Sequence, residues 1–249
     1  NSVSTPFADI RFDEKGYIES LVDKRAKREV RGEGYPLNTF LIAEDLPSAW
    51  DNWDIDADVQ CKFKDASELV SREVISDGSV AYIVRSVYKI SAKSSVTQDM
   101  IFFADSAEVR FDTGMDWQDD HRLLKAAFDT NIVEDFARHE IQFGYAKRPT
   151  TRNTSEEQAK FEVLNHKYSD ISEARYGVSV LNDCKYGYDI HNSRMRITLM
   201  RAPTCPDRTG DHGINTFRYA FYPHENDWRY ETVQKSLAFN ILPVAKYNK

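Results

Sequence analysis

Hydrophobic and polar residues alternate with a period near two over much of the chain. Ser79–Ser91 interleaves β-branched and aromatic residues with polar ones, the pattern of a half-buried strand. Leu69–Ile75, Val109–Asp112, His139–Tyr145, Arg175–Leu181, Arg194–Met200 and Asn215–Tyr222 read the same way, and Met100–Ala104 is an apolar run of strand length. Asp77-Gly78, Glu14-Lys15-Gly16, Asn182-Asp183, Pro203, Pro206 and Gly210 supply turns between them. Helical spacing is rare. Ser155–Lys160 is a short polar candidate with Thr154 or Ser155 as its cap, and Asn226–Asn240 places Trp228, Val233 and Leu237 near a helical repeat. Many strands and at most one or two short helices predict an all-β chain of stacked antiparallel sheets.

Composition narrows this picture. The 249 residues are 41% hydrophobic and 12% aromatic, enough to bury a sizeable core in one large β-domain over 1–249 or in two small ones. No repeat, low-complexity tract or linker divides them. Charged residues make up 29% and the mean hydropathy is −0.60, as expected of a soluble protein. No apolar run approaches the ~18 residues of a membrane span, so no membrane partner is expected. The N-terminus lacks the basic-then-apolar pattern of a signal peptide. Asn1–Phe7 is polar and reads as a frayed domain edge. Asn240–Val244 stops inside an apolar run without a closing turn, as expected of a piece of a longer chain.

A net charge of −7 and a pI near 5.5 argue against nucleic acid, whose binding rests on Lys and Arg neutralising phosphates. The basic stretch Lys24–Arg28 is short, is followed by Glu29, and reads as a solvated loop. Cysteines stand at 61, 184 and 205, an odd number without a Cys-x-x-Cys pair. That is neither a disulfide framework nor a zinc finger, and a reducing compartment is the simplest setting. Asn153-Thr154-Ser155 is a glycosylation sequon, but a three-residue match carries little weight.

The chemistry-bearing residues cluster in two stretches. Each of the four tryptophans adjoins an aspartate: Trp50-Asp51, Trp53-Asp54, Asp116-Trp117 and Asp227-Trp228. A carboxylate accepts hydrogen bonds from sugar hydroxyls and an indole covers the apolar face of the ring. A tryptophan anchoring a loop beside an aspartate capping a turn is the structural alternative, and it is the reading favoured for Asp227-Trp228. For residues 50–56 both readings stand. Glu44 to Asp58 holds six acids and no Lys or Arg. Asp54, Asp56 and Asp58 alternate as in a calcium loop, but the glycine and late glutamate of that loop are missing; a strand with three solvent-facing acids is the favoured reading. The second stretch is Asn182–Asp189, a dense polar loop with two tyrosines and Lys185 between acids, in which Gly187 permits an unusual backbone angle or a close approach. It suits ligand binding and, equally, an internally bonded turn in which Lys185 neutralises Asp183.

Other catalytic patterns are missing. The six histidines form no His-x-x-x-His, His-x-His or His-x-Asp, so no local zinc ligand set arises. There is no Gly-x-Ser-x-Gly elbow, P-loop or Rossmann glycine pattern. Forty acids allow many carboxylate pairs at glycosidase spacing, and none stands out.

Several ordered motifs carry a family resemblance. Phe12–Lys24 with Arg28-Glu29 resembles an opening hairpin, and Trp50-Asp-Asn-Trp-Asp-Ile-Asp56 is similar to a Trp-Asp-Ala-Trp-Asp-Ile-Asp motif in which Asn52 replaces alanine. Asp116-Trp117 with His121, Glu140–Gly144, Arg148–Thr150 and Asn153–Ser155 follow in order. Then come Phe161–Val163, His166-Lys167, Asp170, Ser172-Glu173 and Tyr176-Gly177. Asn182-Asp-Cys-Lys-Tyr-Gly-Tyr188, Arg201, Pro203, Asp207 and Pro223-His224 complete the series. Together they resemble the C-terminal β-domain of glycoside hydrolase family 38, the zinc-dependent α-mannosidases, in the cytosolic and vacuolar branch and its bacterial relatives.

The resemblance implies a large antiparallel β-sandwich of the galactose-mutarotase-like supersandwich type, placed behind an α/β catalytic domain and a helical bundle. It implies retaining hydrolysis of terminal α-mannose by an aspartate nucleophile and a zinc held by His and Asp. Those groups belong to an N-terminal catalytic domain whose His-x-Asp motif is absent here. No catalytic residue, metal ligand or cofactor is therefore expected in this chain; zinc is expected in the missing catalytic domain of the parent. Expected partners are that catalytic domain and an α-mannoside oligosaccharide. The substrate-proximal candidates are Trp50, Asp51, Trp53, Asp54, Asp183, Lys185 and Tyr186, on one face of the sandwich. A stand-alone carbohydrate-binding module and a mutarotase-like epimerase are the rival readings.

Overall fold

In a computed structural model, which describes residues 2–241, 243, 244 and 246, strands alternate between two stacked sheets. The chain opens with a small sheet of β1 (Ser2–Ser4), β2 (Ala8–Phe12), β3 (Ile18–Asp23) and β4 (Arg28–Glu29), paired in that order. Ser2–Ser4 is therefore paired strand rather than the frayed edge expected, and Asn1 lies outside the described residues. β5 (Thr39–Glu44) and β6 (Lys64–Asp65) enter a second sheet. The segment between them carries a short 3-10 turn at Ala57–Cys61.

A meander of β7 (Glu68–Asp77), β8 (Ala81–Lys89), β9 (Ser95–Phe103) and β10 (Val109–Trp117) builds one half of the large sheet, and β11 (Arg122–Asp129) crosses to the second sheet beside β5. Then follow the hairpin β12 (Phe136–Ile141) and β13 (Gly144–Pro149), α1 (Ser155–Ala159), β14 (Val163–Leu164), β15 (Tyr168–Ser172), β16 (Tyr176–Asn182), β17 (Gly187–His191), β18 (Arg194–Arg201), β19 (Gly213–Glu225) and α2 (Thr232–Asn240). The large sheet runs β13-β12-β15-β16-β19-β10-β9-β8-β7 and the second β14-β17-β18-β11-β5-β6, all pairs antiparallel.

Alternation explains the large sheet. In β10, Val109, Phe111, Thr113, Met115 and Trp117 are buried while Arg110, Asp112, Gly114 and Asp116 are partly open, so one face packs inward and the other meets solvent. One cluster of buried residues takes side chains from all three sheets, from Ala8 to Phe221. Within it Phe111 stacks on Tyr219 and Phe128 on Phe221, with centroids 5.0 and 5.2 Å apart, and Phe128 meets Tyr219 edge to face at 6.3 Å. The second sheet is buried on both faces in β11 and most of β18.

Three local expectations change. His139–Tyr145 is not one strand but the turn of the β12–β13 hairpin, with Phe143 in the left-handed region at φ 61° and fully exposed. Asp54, Asp56 and Asp58 do not lie on a strand; Asp56 precedes the 3-10 turn and Asp58 is inside it. Only the second half of Asn226–Asn240 is helical, with Thr232, Ser236 and Phe239 buried and Leu237 exposed. α1 forms as expected, capped by Thr154, whose hydroxyl accepts from the Glu157 amide at 3.2 Å. The apolar run Asn240–Val244 is described apart from Leu242, which lies outside the described residues.

Candidate functional site

The antiparallel order brings one set of connections to a single end of the sandwich. β5, β8, β10, β16 and β18 finish there, and β9, β11, β17 and β19 begin there. Three of these connections, 118–121, 183–186 and 202–212, carry the chain between the two sheets. Backbone leaving a sheet loses its ladder partners and needs others. Here charged side chains supply them.

Arg201, the last residue of β18, holds the 50–56 loop. Its guanidinium donates to the Asp45 carboxylate and to the carbonyl oxygens of Asn52 (3.1 Å), Asp51 (2.9 Å) and Asp54. Asp51 then ties this loop to two others. Its carboxylate accepts from the Thr204 amide at 2.8 Å, the Cys205 amide at 3.0 Å and His121 Nε2 at 3.1 Å. Desolvation pushes the Asp51 carboxyl up, but those donors outweigh it and hold it below the usual carboxylate range. Trp50 sits in the left-handed region at φ 59°, a conformation unfavourable for a bulky residue. Its carbonyl accepts from the Trp53 and Asp54 amides at 2.7 and 2.9 Å. The tight turn turns both indoles outward: Trp50 is 73% and Trp53 70% exposed. Asp54 is exposed and accepts from the next amide, Ile55, at 2.9 Å.

The 183–186 loop is fixed from within and from the large sheet. The buried Asn182 accepts from the Lys185 amide at 2.9 Å and donates to the His166 carbonyl at 2.6 Å. Asp183 is neutralised by Arg218, at 3.0 Å from Nε, and not by Lys185. Lys185 extends instead over the Phe217 ring, 4.4 Å from its centroid and 3.8 Å from Met200 Sδ. Burial lowers its pKa. Tyr186 is half exposed, its ring 5.1 Å from that of His166. Gly187 is needed for close approach, since a Cβ there would meet the Thr198 side chain at 3.0 Å.

The two predicted loops therefore meet at the end of β18, one through Arg201 and the other through Met200. Lys185 and Arg201 both act on Asp211, whose carboxyl is pushed up by burial and pulled down by those two cations. The predicted residues divide by role. Asp51 and Asp183 are occupied by loop-holding donors. Trp50, Trp53 and Tyr186 offer open aromatic faces, with Asp54 beside the first two. Arg201 and His121 carry most of the assembly, yet sequence reasoning placed them only within the family motifs. Their partners are 70 to 156 residues away, beyond any local pattern.

The other two Trp-Asp pairs are structural. Trp117 is fully buried. Trp228 packs on Tyr145 and Tyr168 with centroids at 4.7 and 6.1 Å, while Asp227 caps its turn through the Arg229 amide. The mutarotase-like reading expects a His and a Glu converging on a concave sheet face. His166 and Glu140 approach to 3.9 Å, but His166 lies in the loop before β15, and Glu140 is held by the Lys167 amide and ammonium. Among the described residues no three His, Cys, Asp or Glu side chains converge as a metal site requires. No helix among the described residues is long and apolar enough to cross a membrane.

Residues 3–209 match the family described as "Glycosyl hydrolases family 38 C-terminal domain". Alpha-mannosidase G of Dictyostelium discoideum is 38% identical over 239 residues, 94% of this chain and 22% of that protein. Alpha-mannosidase 2C1 of Homo sapiens is 34% identical over 221 residues, 88% of this chain and 21% of that protein. The chain spans about a fifth of the length of these curated relatives. Among solved structures, an alpha-mannosidase from Enterococcus faecalis V583 superposes with a TM-score of 0.77 at 14% identity, over 95% of this chain and 30% of that one. An alpha-N-acetylgalactosaminidase from Bifidobacterium bifidum gives 0.59 at 12% identity, over 95% and 38%. At such identities the likeness is one of fold.

Proposed function

The chain belongs to the glycosyl hydrolase family 38 C-terminal domain family, and from that premise we propose that it is a single β-sandwich domain of an α-mannosidase. The parent hydrolyses terminal α-mannose from oligosaccharides by a retaining, zinc-dependent route whose reacting groups lie in an N-terminal catalytic domain. This chain buttresses that domain, and its loop end lines the edge of the sugar site. The observation that supports the reading is the convergence of residues 50–56 and 183–186 on the end of β18, with the backbone turn that carries Trp50 and Trp53 tied down and both indoles open to solvent. A fixed indole face covers the apolar side of a pyranose at little entropic cost. Asp54 stands ready to accept from hydroxyl groups. The three cysteines are free and exposed, which supports a reducing, cytoplasmic setting.

The experiment is an assay of aryl α-mannoside hydrolysis by this chain alone and by the full polypeptide that contains it. The proposal expects turnover by the full polypeptide and none by the chain. Zinc-dependent turnover by the pure chain, or none by the full polypeptide, contradicts it. Titration of the chain with methyl α-mannoside separates the stand-alone binding module, which requires measurable affinity without the catalytic domain.

A further inference from the structure

The second sheet carries another polar assembly on its outer face, and it opens at the end of the sandwich opposite the candidate site. Lys125 on β11, Asp189 on β17 and Arg196 on β18 are buried side by side. Lys125 Nζ is 2.6 Å from Asp189 and also bonds Glu162, while Arg196 donates twice to Asp189 at 2.8 and 2.9 Å and once to Gln60 at 2.5 Å. A third cation, Arg152, reaches in from the segment before α1. It has far less to hold: Gln60 Oε1 at 3.4 Å and Asp189 at 4.0 Å.

The charge count is uneven. Lys125, Arg152 and Arg196 face Asp189 and Glu162, three cations against two carboxylates. A guanidinium presents five N–H donors, and one that is only about one-fifth exposed is costly to leave unpaired. Burial lowers the pKa of Arg152 more than Asp189 raises it. Burial first, and then Arg152 and Arg196, hold the neighbouring His191 imidazole below its usual value, so a second group senses the same positive field.

Arg152 faces a cavity of about 570 Å³ bordered by Asp129, His191, Arg194 and Arg196. Asp129 is spent on Arg194, which grips it through two bonds of 2.6 and 2.7 Å. The Nη1 groups of Arg194 and Arg196 make no hydrogen bond among the described residues. Glu33, exposed at the rim, makes no ion pair among them either. We propose that this cavity is an oxyanion site that takes a phosphate or carboxylate group, with Arg152 as its principal donor and Arg194, Arg196 and His191 around it. Planar guanidinium groups suit the paired oxygens of such an anion. The anion comes either from a small soluble molecule or from an acidic side chain elsewhere in the full polypeptide.

The test is calorimetric titration of the chain with inorganic phosphate at low ionic strength, beside Arg152→Gln and Arg229→Gln. The last removes an exposed arginine remote from the cavity. Binding should be present in the parent chain, weakened about tenfold or more by Arg152→Gln, and unchanged by Arg229→Gln. The unaltered chain gives a second readout that does not depend on the variant folding. A bound anion favours the protonated imidazole, so NMR titration of His191 in phosphate should give a higher pKa than in chloride at matched ionic strength. Absence of phosphate binding, equal weakening by both substitutions, or an unmoved His191 overturns the proposal. Repeating the titration on the full polypeptide identifies the source. Retained binding marks a soluble anion, and binding lost there but present in the chain marks an internal carboxylate.

Discussion

The two ends of the sandwich use the same residue types in different ways. At the loop end, Arg201 and Asp51 bond mainly to backbone, to carbonyls in one case and amides in the other. Each bond fixes a loop, and what remains open is aromatic: Trp50, Trp53 and Tyr186. At the opposite end, Lys125, Asp189, Glu162 and Arg196 bond to one another. Their charges nearly cancel in a buried sheet face, and what remains open is a guanidinium. A charge committed to backbone positions other groups. A charge that is only weakly paired leaves donors for a further acceptor. On the two proposals above, the first end takes an uncharged, hydroxyl-rich ligand and the second an anion.

The largest effect that separates the two ends is expected at Asp189. Asp189→Ala leaves Lys125 and Arg196 buried without their shared partner and should cost about 3–5 kcal/mol in chemical denaturation. A cost under 1 kcal/mol would mean that the network is not desolvated, and the contrast would collapse. Arg201→Ala comes next. It strips Asp45 of its cation and frees three loop carbonyls, for an expected loss of about 1.5–3 kcal/mol. Hydrogen exchange should rise in residues 50–56 and not in β17. A uniform rise would show that Arg201 supports the sheet rather than the loop.

A smaller, pH-dependent effect is expected from Glu162. Burial pushes its carboxyl up, against the pull of Lys125, to about 7. A carboxyl whose folded pKa lies above its unfolded value contributes stability that is fully present below the unfolded pKa of about 4.3 and is lost as pH rises through the folded one. Stability relative to Glu162→Gln should therefore fall between pH 4.5 and 7. A flat or rising difference across that window would assign Glu162 a fully compensated charge.

Much of the fold was readable because alternation is a local signal. β8, β16, β18 and β19 form where period-two runs stand, although β16 and most of β18 are buried on both faces rather than one, and α1 follows its Thr154 cap. The β12–β13 hairpin was misread because Gln142-Phe143 lacks the glycine or asparagine that usually marks a left-handed turn position. The site was legible as composition, in the density of Trp, Tyr and Asp. Its wiring was not. A turn in which Lys185 neutralises Asp183 was one of two open readings, yet the partner of Asp183 is Arg218 on a neighbouring strand. Lys125 and Asp189 look like surface residues in isolation, and only the crossing of β11, β18 and β17 shows that they are buried.

In the proposed function the aromatic rings at the loop end serve the sugar site and not the fold. Trp50→Ala and Trp53→Ala, singly and together in the full polypeptide, test it through kcat/KM on α-mannosides and the melting temperature measured side by side. Because both indoles are exposed, each substitution should change stability by no more than about 0.5 kcal/mol. Loss of a ring that covers the sugar should lower kcat/KM about tenfold. A melting temperature that falls while kcat/KM of the folded enzyme holds would contradict the claim and make the 50–56 loop a structural turn.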